Sequence, residues 1–117
     1  MNNSSKTFDL ATVLTITSGR YFTDIENVFE ILSFVCNNQI TSYNEMPYYH
    51  PVVQSYLLKK YPQLRNVGID VMTDTWDDVH NFINSKIKIY GDKFEIEPLS
   101  RVINFNVNPS DTFKQGR

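Results

Sequence analysis

The chain has one cysteine, two histidines and four glycines, and no apolar stretch approaches the roughly 20 residues that cross a bilayer. Each shortage closes off a class of function. With Cys36 alone, an internal disulfide and a cysteine-rich metal site are both excluded, and a reducing compartment fits. Cys36 lies in the apolar run Ile31-Leu32-Ser33-Phe34-Val35-Cys36, which suits a small core hydrophobe better than a reactive thiol. His50 and His80 stand far apart and form no His-x-x-x-His pair, so neither a metal site nor a cofactor is expected. Gly19 and Gly91 belong to no Gly-x-Gly-x-x-Gly or Walker loop, so nucleotide hydrolysis is not indicated. No charged-then-apolar leader opens the chain, which reads as a cytosolic protein without a membrane partner.

Neither sign of charge dominates. Thirteen acidic and 11 basic residues are scattered to a net −2, leaving no electrostatic footprint for general nucleic-acid binding. What is present suffices for one core: 41% apolar residues, with eight Phe, seven Tyr and one Trp, in a chain of 117 residues. The organisation expected is a disordered tail over 1–7, a single α+β domain over 8–108 and a flexible tail over 109–117.

Within that domain the pattern predicts about three helices followed by a small antiparallel sheet, a hairpin plus one strand. From Asp9, apolar spacing gives a short helical stretch that turns extended at Thr15-Ile16-Thr17, and Ser18-Gly19-Arg20 reads as a turn. Thr23 or Asp24 caps a helix whose core face is Ile25, Val28, Phe29, Leu32 and Val35, ended by Asn37-Asn38. A loop runs through Pro47, and Pro51 opens a second helix that Pro62 closes. Thr73 to Asp78 caps a third, with Trp76, Val79, Phe82 and Ile83 on one face. Ile87–Tyr90 and Lys93–Glu97 alternate apolar and polar residues around Gly91-Asp92, the pattern of a hairpin, and 102–107 alternates likewise.

Two groups could carry chemistry. Thr15, Thr17, Ser18, Gly19 and Arg20 combine hydroxyls, turn amides and a guanidinium fork that suits phosphate or carboxylate. The same hydroxyls could instead satisfy a turn, with Arg20 paired to Asp24 or Glu26. The loop holding Tyr43, Asn44, Tyr48, Tyr49 and His50 is rich in aromatic and polar groups, as binding loops are. Acidic residues at 74, 77 and 78 are explained by the dipole of the helix they open. No nucleophile lies beside a base in sequence, so no catalytic set and no enzyme is expected.

Leu14-Thr15-Ile16-Thr17-Ser18-Gly19-Arg20 and Val28-Phe29-Glu30-Ile31-Leu32 resemble the Leu-Ser-Ile-Thr-Thr-Gly-Arg and Tyr-Glu-Ile-Leu-Asn segments of a family of small tailed-phage proteins with a domain of unknown function. Pro47 and Pro62 keep that family's fifteen-residue spacing, Leu57, Leu58 and Leu64 fall where it has leucines, and Tyr90-Gly91-Asp92 and Pro98-Leu99 also look alike. The likeness runs from about Leu10 to Leu99. It departs at Tyr43-Asn44-Glu45-Met46-Pro47-Tyr48, where the family has Thr-His-Gln-Leu-Pro-Arg, so the family's histidine and second arginine are missing. The resemblance implies a phage accessory protein in the host cytoplasm, with no mechanism attached. Its expected action is stoichiometric binding of a host protein, as a counter-defence inhibitor. The alternatives are sequestration of a small nucleotide ligand by the Arg20 turn and, more weakly, a small hydrolase. Homo-oligomerisation stays open.

Overall fold

The computed structural model describes residues 4–106. Four α-helices and a two-stranded antiparallel sheet make an α+β fold, with one helix more than the sequence pattern predicts. The elements are β1 (Lys6–Phe8), α1 (Leu10–Ser18), α2 (Ile25–Cys36), α3 (Met46–Lys60), a 3-10 turn (Pro62–Leu64), α4 (Trp76–Tyr90) and β2 (Phe94–Ile96). None of these helices is long and apolar enough to cross a membrane.

Helix α1 is the centre of the core and touches α2, α3 and α4. The Asp9 carboxylate caps it by accepting from the Thr12 amide at 3.0 Å, and seven of its nine residues are buried. The Thr15-Ile16-Thr17 run, expected to be extended, is helical. Thr15 Oγ1 donates to the Ala11 carbonyl and Thr17 Oγ1 to the Leu14 carbonyl, so both hydroxyls are satisfied and a β-branched run can be buried as helix. Gly19 ends α1 at φ +79, a left-handed conformation that a side chain would strain.

Helix α2 buries Val28, Ile31, Leu32, Val35 and Cys36, and stops at Asn37 in the left-handed region. Ile25 and Phe29, expected on its core face, pack against the core only partly buried. Helix α3 begins at Met46 rather than Pro51, so Tyr48, Tyr49 and His50 are helical and Pro51 lies inside the helix. Its buried stripe is Tyr49, Val53 and Leu57, one residue per turn.

Helix α4 opens on a capping box in which Thr75 and Asp78 exchange side-chain and backbone bonds. The helix continues through Ile87–Tyr90, which the sequence pattern assigns to a hairpin strand. Ile87 and Tyr90 extend the Val79 and Ile83 stripe onto the core, whereas a strand would have put Ile87 and Ile89 on one face. Trp76, expected in the core, is exposed at the first turn.

The partner of Phe94–Ile96 is therefore β1, with Phe8 opposite Phe94 and Lys6 opposite Ile96. Lys6 and Thr7, expected in the tail, are strand residues. Residues 102–106 form no strand. They belong to a strap that covers the end of α2: the Leu99 amide donates to the Val35 carbonyl, and the Ile103 amide to the Cys36 carbonyl, both at 2.9 Å. These are last-turn carbonyls that the helix itself cannot satisfy. Asn37 and Asn38 donate from their side chains to the carbonyls of Leu99, Arg101 and Ile103, tying the strap a second time. Val107 and the predicted tails at 1–3 and 109–117 lie outside the described residues.

Candidate functional site

Helices α1 and α3 meet where α1 runs out of donors. Its last carbonyls have no amide ahead of them, and α3 supplies side chains instead. His50 Nε2 lies 2.9 Å from the Ile16 carbonyl, and Gln54 Nε2 donates to the Thr17 carbonyl at 3.0 Å. Because a carbonyl only accepts, the hydrogen of a neutral His50 must sit on Nε2. Positions 50 and 54 are one turn apart, so a single face of α3 caps α1.

Beside this joint is a cavity of about 270 Å³ lined by Thr15, Ile16, Gly19, Tyr21, Val28, Met46, Pro47, His50 and Pro51. Three of the residues singled out in sequence, Thr15, Gly19 and His50, come together in its wall. Thr17 is buried away from it, and Ser18 Oγ accepts from the Arg20 amide at 3.0 Å. Arg20 is exposed, and its Nε donates to the Ile69 carbonyl at 2.6 Å. That backbone oxygen is its partner in place of Asp24 or Glu26; the ion pairs among the described residues are Lys6 with Glu30 and Lys60 with Glu97. Thr15 Oγ1 also accepts from the Phe22 amide at 2.9 Å. The hydroxyls and amides of the proposed anion cradle thus hold the protein together.

The aromatic group divides as well. Tyr43 is 67% exposed and meets the Phe29 ring edge-on, the Asn44 amide donates to Ser42 Oγ, and Tyr48 is exposed beside Phe105. Tyr49 is buried and structural. Its hydroxyl accepts from Asn38 Nδ2 at 3.2 Å and from the Phe105 amide at 3.0 Å.

A second feature was missed by periodicity. Trp76 is 55% exposed and lies against the His80 ring at 6.1 Å between centroids. It borders two clefts. One, of about 230 Å³, is shared with Tyr21, Thr73, Asp74, Thr75 and Val79. The other, of about 380 Å³, is shared with Asp9, Ala11, Phe22, Thr23, Asp24 and His80. Met72, which precedes Thr73 in the chain, is 78% exposed. The Asp24 carboxylate makes no cap bond, and those of Asp74 and Asp77 have no ion-pair partner among the described residues. In the sequence Trp76 directly follows the Thr75 cap and precedes two acids of the first turn, Asp77 and Asp78.

Cys36 and His50 are among the groups whose affinity for protons is shifted. Burial pushes the Cys36 thiol up to about 11, which keeps it protonated and unreactive. Native protein should therefore react with an aromatic disulfide reagent orders of magnitude more slowly than unfolded protein; equal rates would contradict the buried position. Burial lowers the His50 pKa below 6.5, against the opposing bond to Ile16. The folded state then binds this proton less readily than the unfolded chain, so the associated stability is present above about pH 6.5 and lost as pH falls through the folded pKa. Melting temperature should fall over that window, and His50→Gln, whose amide can still donate to Ile16, should flatten the fall.

Comparison with protein-family models, with curated proteins and with solved structures finds no match to this chain.

Proposed function

We propose that this protein is a phage-encoded accessory protein that binds a host protein stoichiometrically through the Trp76 face, acting in the host cytoplasm as a counter-defence inhibitor. The observation that carries the reading is an exposed tryptophan bordering two clefts, with Asp24, Asp74 and Asp77 near it lacking ion-pair partners among the described residues. Tryptophan and tyrosine give the most binding energy per side chain at protein interfaces, because a large flat surface is desolvated at little entropic cost. Carboxylates left without ion-pair partners among the described residues around that surface match a partner with a basic rim and an apolar centre. The likeness of the Leu14 to Arg20 segment to small tailed-phage proteins supplies the context.

The test is capture from lysate of the bacterial host with the wild-type protein, a Trp76→Ala variant and an Asp74→Lys/Asp77→Lys variant. The reading expects a one-to-one complex that Trp76→Ala loses and that the charge reversal weakens, more so at low salt. A host protein retained equally by all three would overturn it.

A further inference from the structure

The cavity between α1 and α3 shares Tyr21 with the smaller of the two Trp76 clefts and no residue with the other, and no step of host-protein binding uses it. Its walls are mostly apolar: Ile16, Val28, Met46, Pro47 and Pro51 supply hydrocarbon, and Tyr21 adds a ring. Among the described residues no lysine, arginine or carboxylate lines it, so a phosphate or a carboxylate would enter without a counter-charge and lose its hydration. Charged ligands are therefore disfavoured.

Beside the Tyr21 hydroxyl, which can donate or accept, the wall offers two polar groups that only accept. His50 Nε2 is taken by the Ile16 carbonyl, which leaves the other ring nitrogen, Nδ1, as an acceptor with no bond among the described residues. Pro51 lies inside α3 and has no amide hydrogen, so the Pro47 carbonyl lacks the donor that helix geometry would supply one turn on. Both residues line the cavity. Two acceptors beside an apolar surface call for a ligand that brings a donor and little other polarity. Size narrows the class further. An apolar cavity of about 150 Å³ holds benzene, and the larger volume of about 270 Å³ here leaves room for a bicyclic or substituted ring.

We infer that this cavity is a binding site for a small, uncharged, flat aromatic molecule carrying a single N–H or O–H donor, which docks between Tyr21 and Met46 and donates to His50. The ring replaces water against the apolar walls, and the donor sets its orientation.

Indole and benzofuran test this directly, because they share a bicyclic shape and differ in having N–H or a bare oxygen. Each is titrated into full-length protein while the methyl resonance of Met46 and the ring resonances of His50 are followed. Indole should give saturable shifts at both residues, and benzofuran should bind about fivefold more weakly, the factor corresponding to one net hydrogen bond. His50→Phe, checked for a native melt, should bring the two affinities together; should it fail to fold, the wild-type ratio decides. Equal affinity of the two probes for the wild type, absence of saturable shifts, or shifts centred on Trp76 instead would overturn the assignment.

Discussion

Trp76→Ala should weaken binding of the host partner about thirtyfold or more, the scale of an interface hot spot of at least 2 kcal/mol, while leaving the melting temperature close to wild type. The asymmetry follows from position. Trp76 is more than half exposed and stands at the first turn of α4, so truncation removes little buried area. The capping box made by Thr75 and Asp78 is independent of it. Isothermal titration against the purified partner gives the affinity, and a thermal melt of the free protein gives the control. A variant that binds normally, or one that loses binding only because it melts far lower, would remove Trp76 from the interface.

Tyr49→Ala is the opposite case, with the effect on stability. Tyr49 is essentially fully buried, packs edge-to-face on Phe105 at 4.9 Å, and accepts hydrogen bonds from Asn38 and from the Phe105 amide. Its loss leaves a cavity and frees the strap over the end of α2, and large aromatic truncations of this kind cost about 3–5 kcal/mol. Tyr49→Phe keeps the ring and leaves the two donors without their acceptor, which should cost about 1–3 kcal/mol. Urea unfolding of the three proteins checks the order. A Phe variant as unstable as the Ala variant would mean that the hydroxyl, rather than the packing, holds the strap; equal stability of all three would mean that the strap contributes nothing.

Helix starts were legible wherever the signal is local. Asp24 stands at the N-cap position of α2, though without a side-chain cap bond, and Thr75 caps α4. Elsewhere two readings of the same residues were equally good. Ile87-Lys88-Ile89-Tyr90 satisfies an alternating period and also continues a helical stripe, and only packing of Ile87 and Tyr90 on the core decides between them. Pro47 and Pro51 both suit a first turn, and the helix starts from the earlier one. Thr15, Gly19 and His50 stand out in the sequence one at a time, as candidates only. Their grouping depends on α3 capping the end of α1, a contact between positions 16 and 50 that carries no local pattern. Trp76 was placed in the core because it shares spacing with Val79 and Ile83, and spacing cannot say where the covering helix ends.

The pairing of β1 with β2 also bears on the order in which the chain comes together. Phe8 and Phe94 face each other across the sheet, far apart in sequence, so their meeting closes all four helices into one loop. Loop closure loses chain entropy that grows with length, and that loss precedes any reward from a three-residue ladder. The helices around α1 can assemble before it. In native-state hydrogen exchange the amides of β1 and β2 should therefore open well below the free energy of global unfolding, while those of α1 exchange only with the whole.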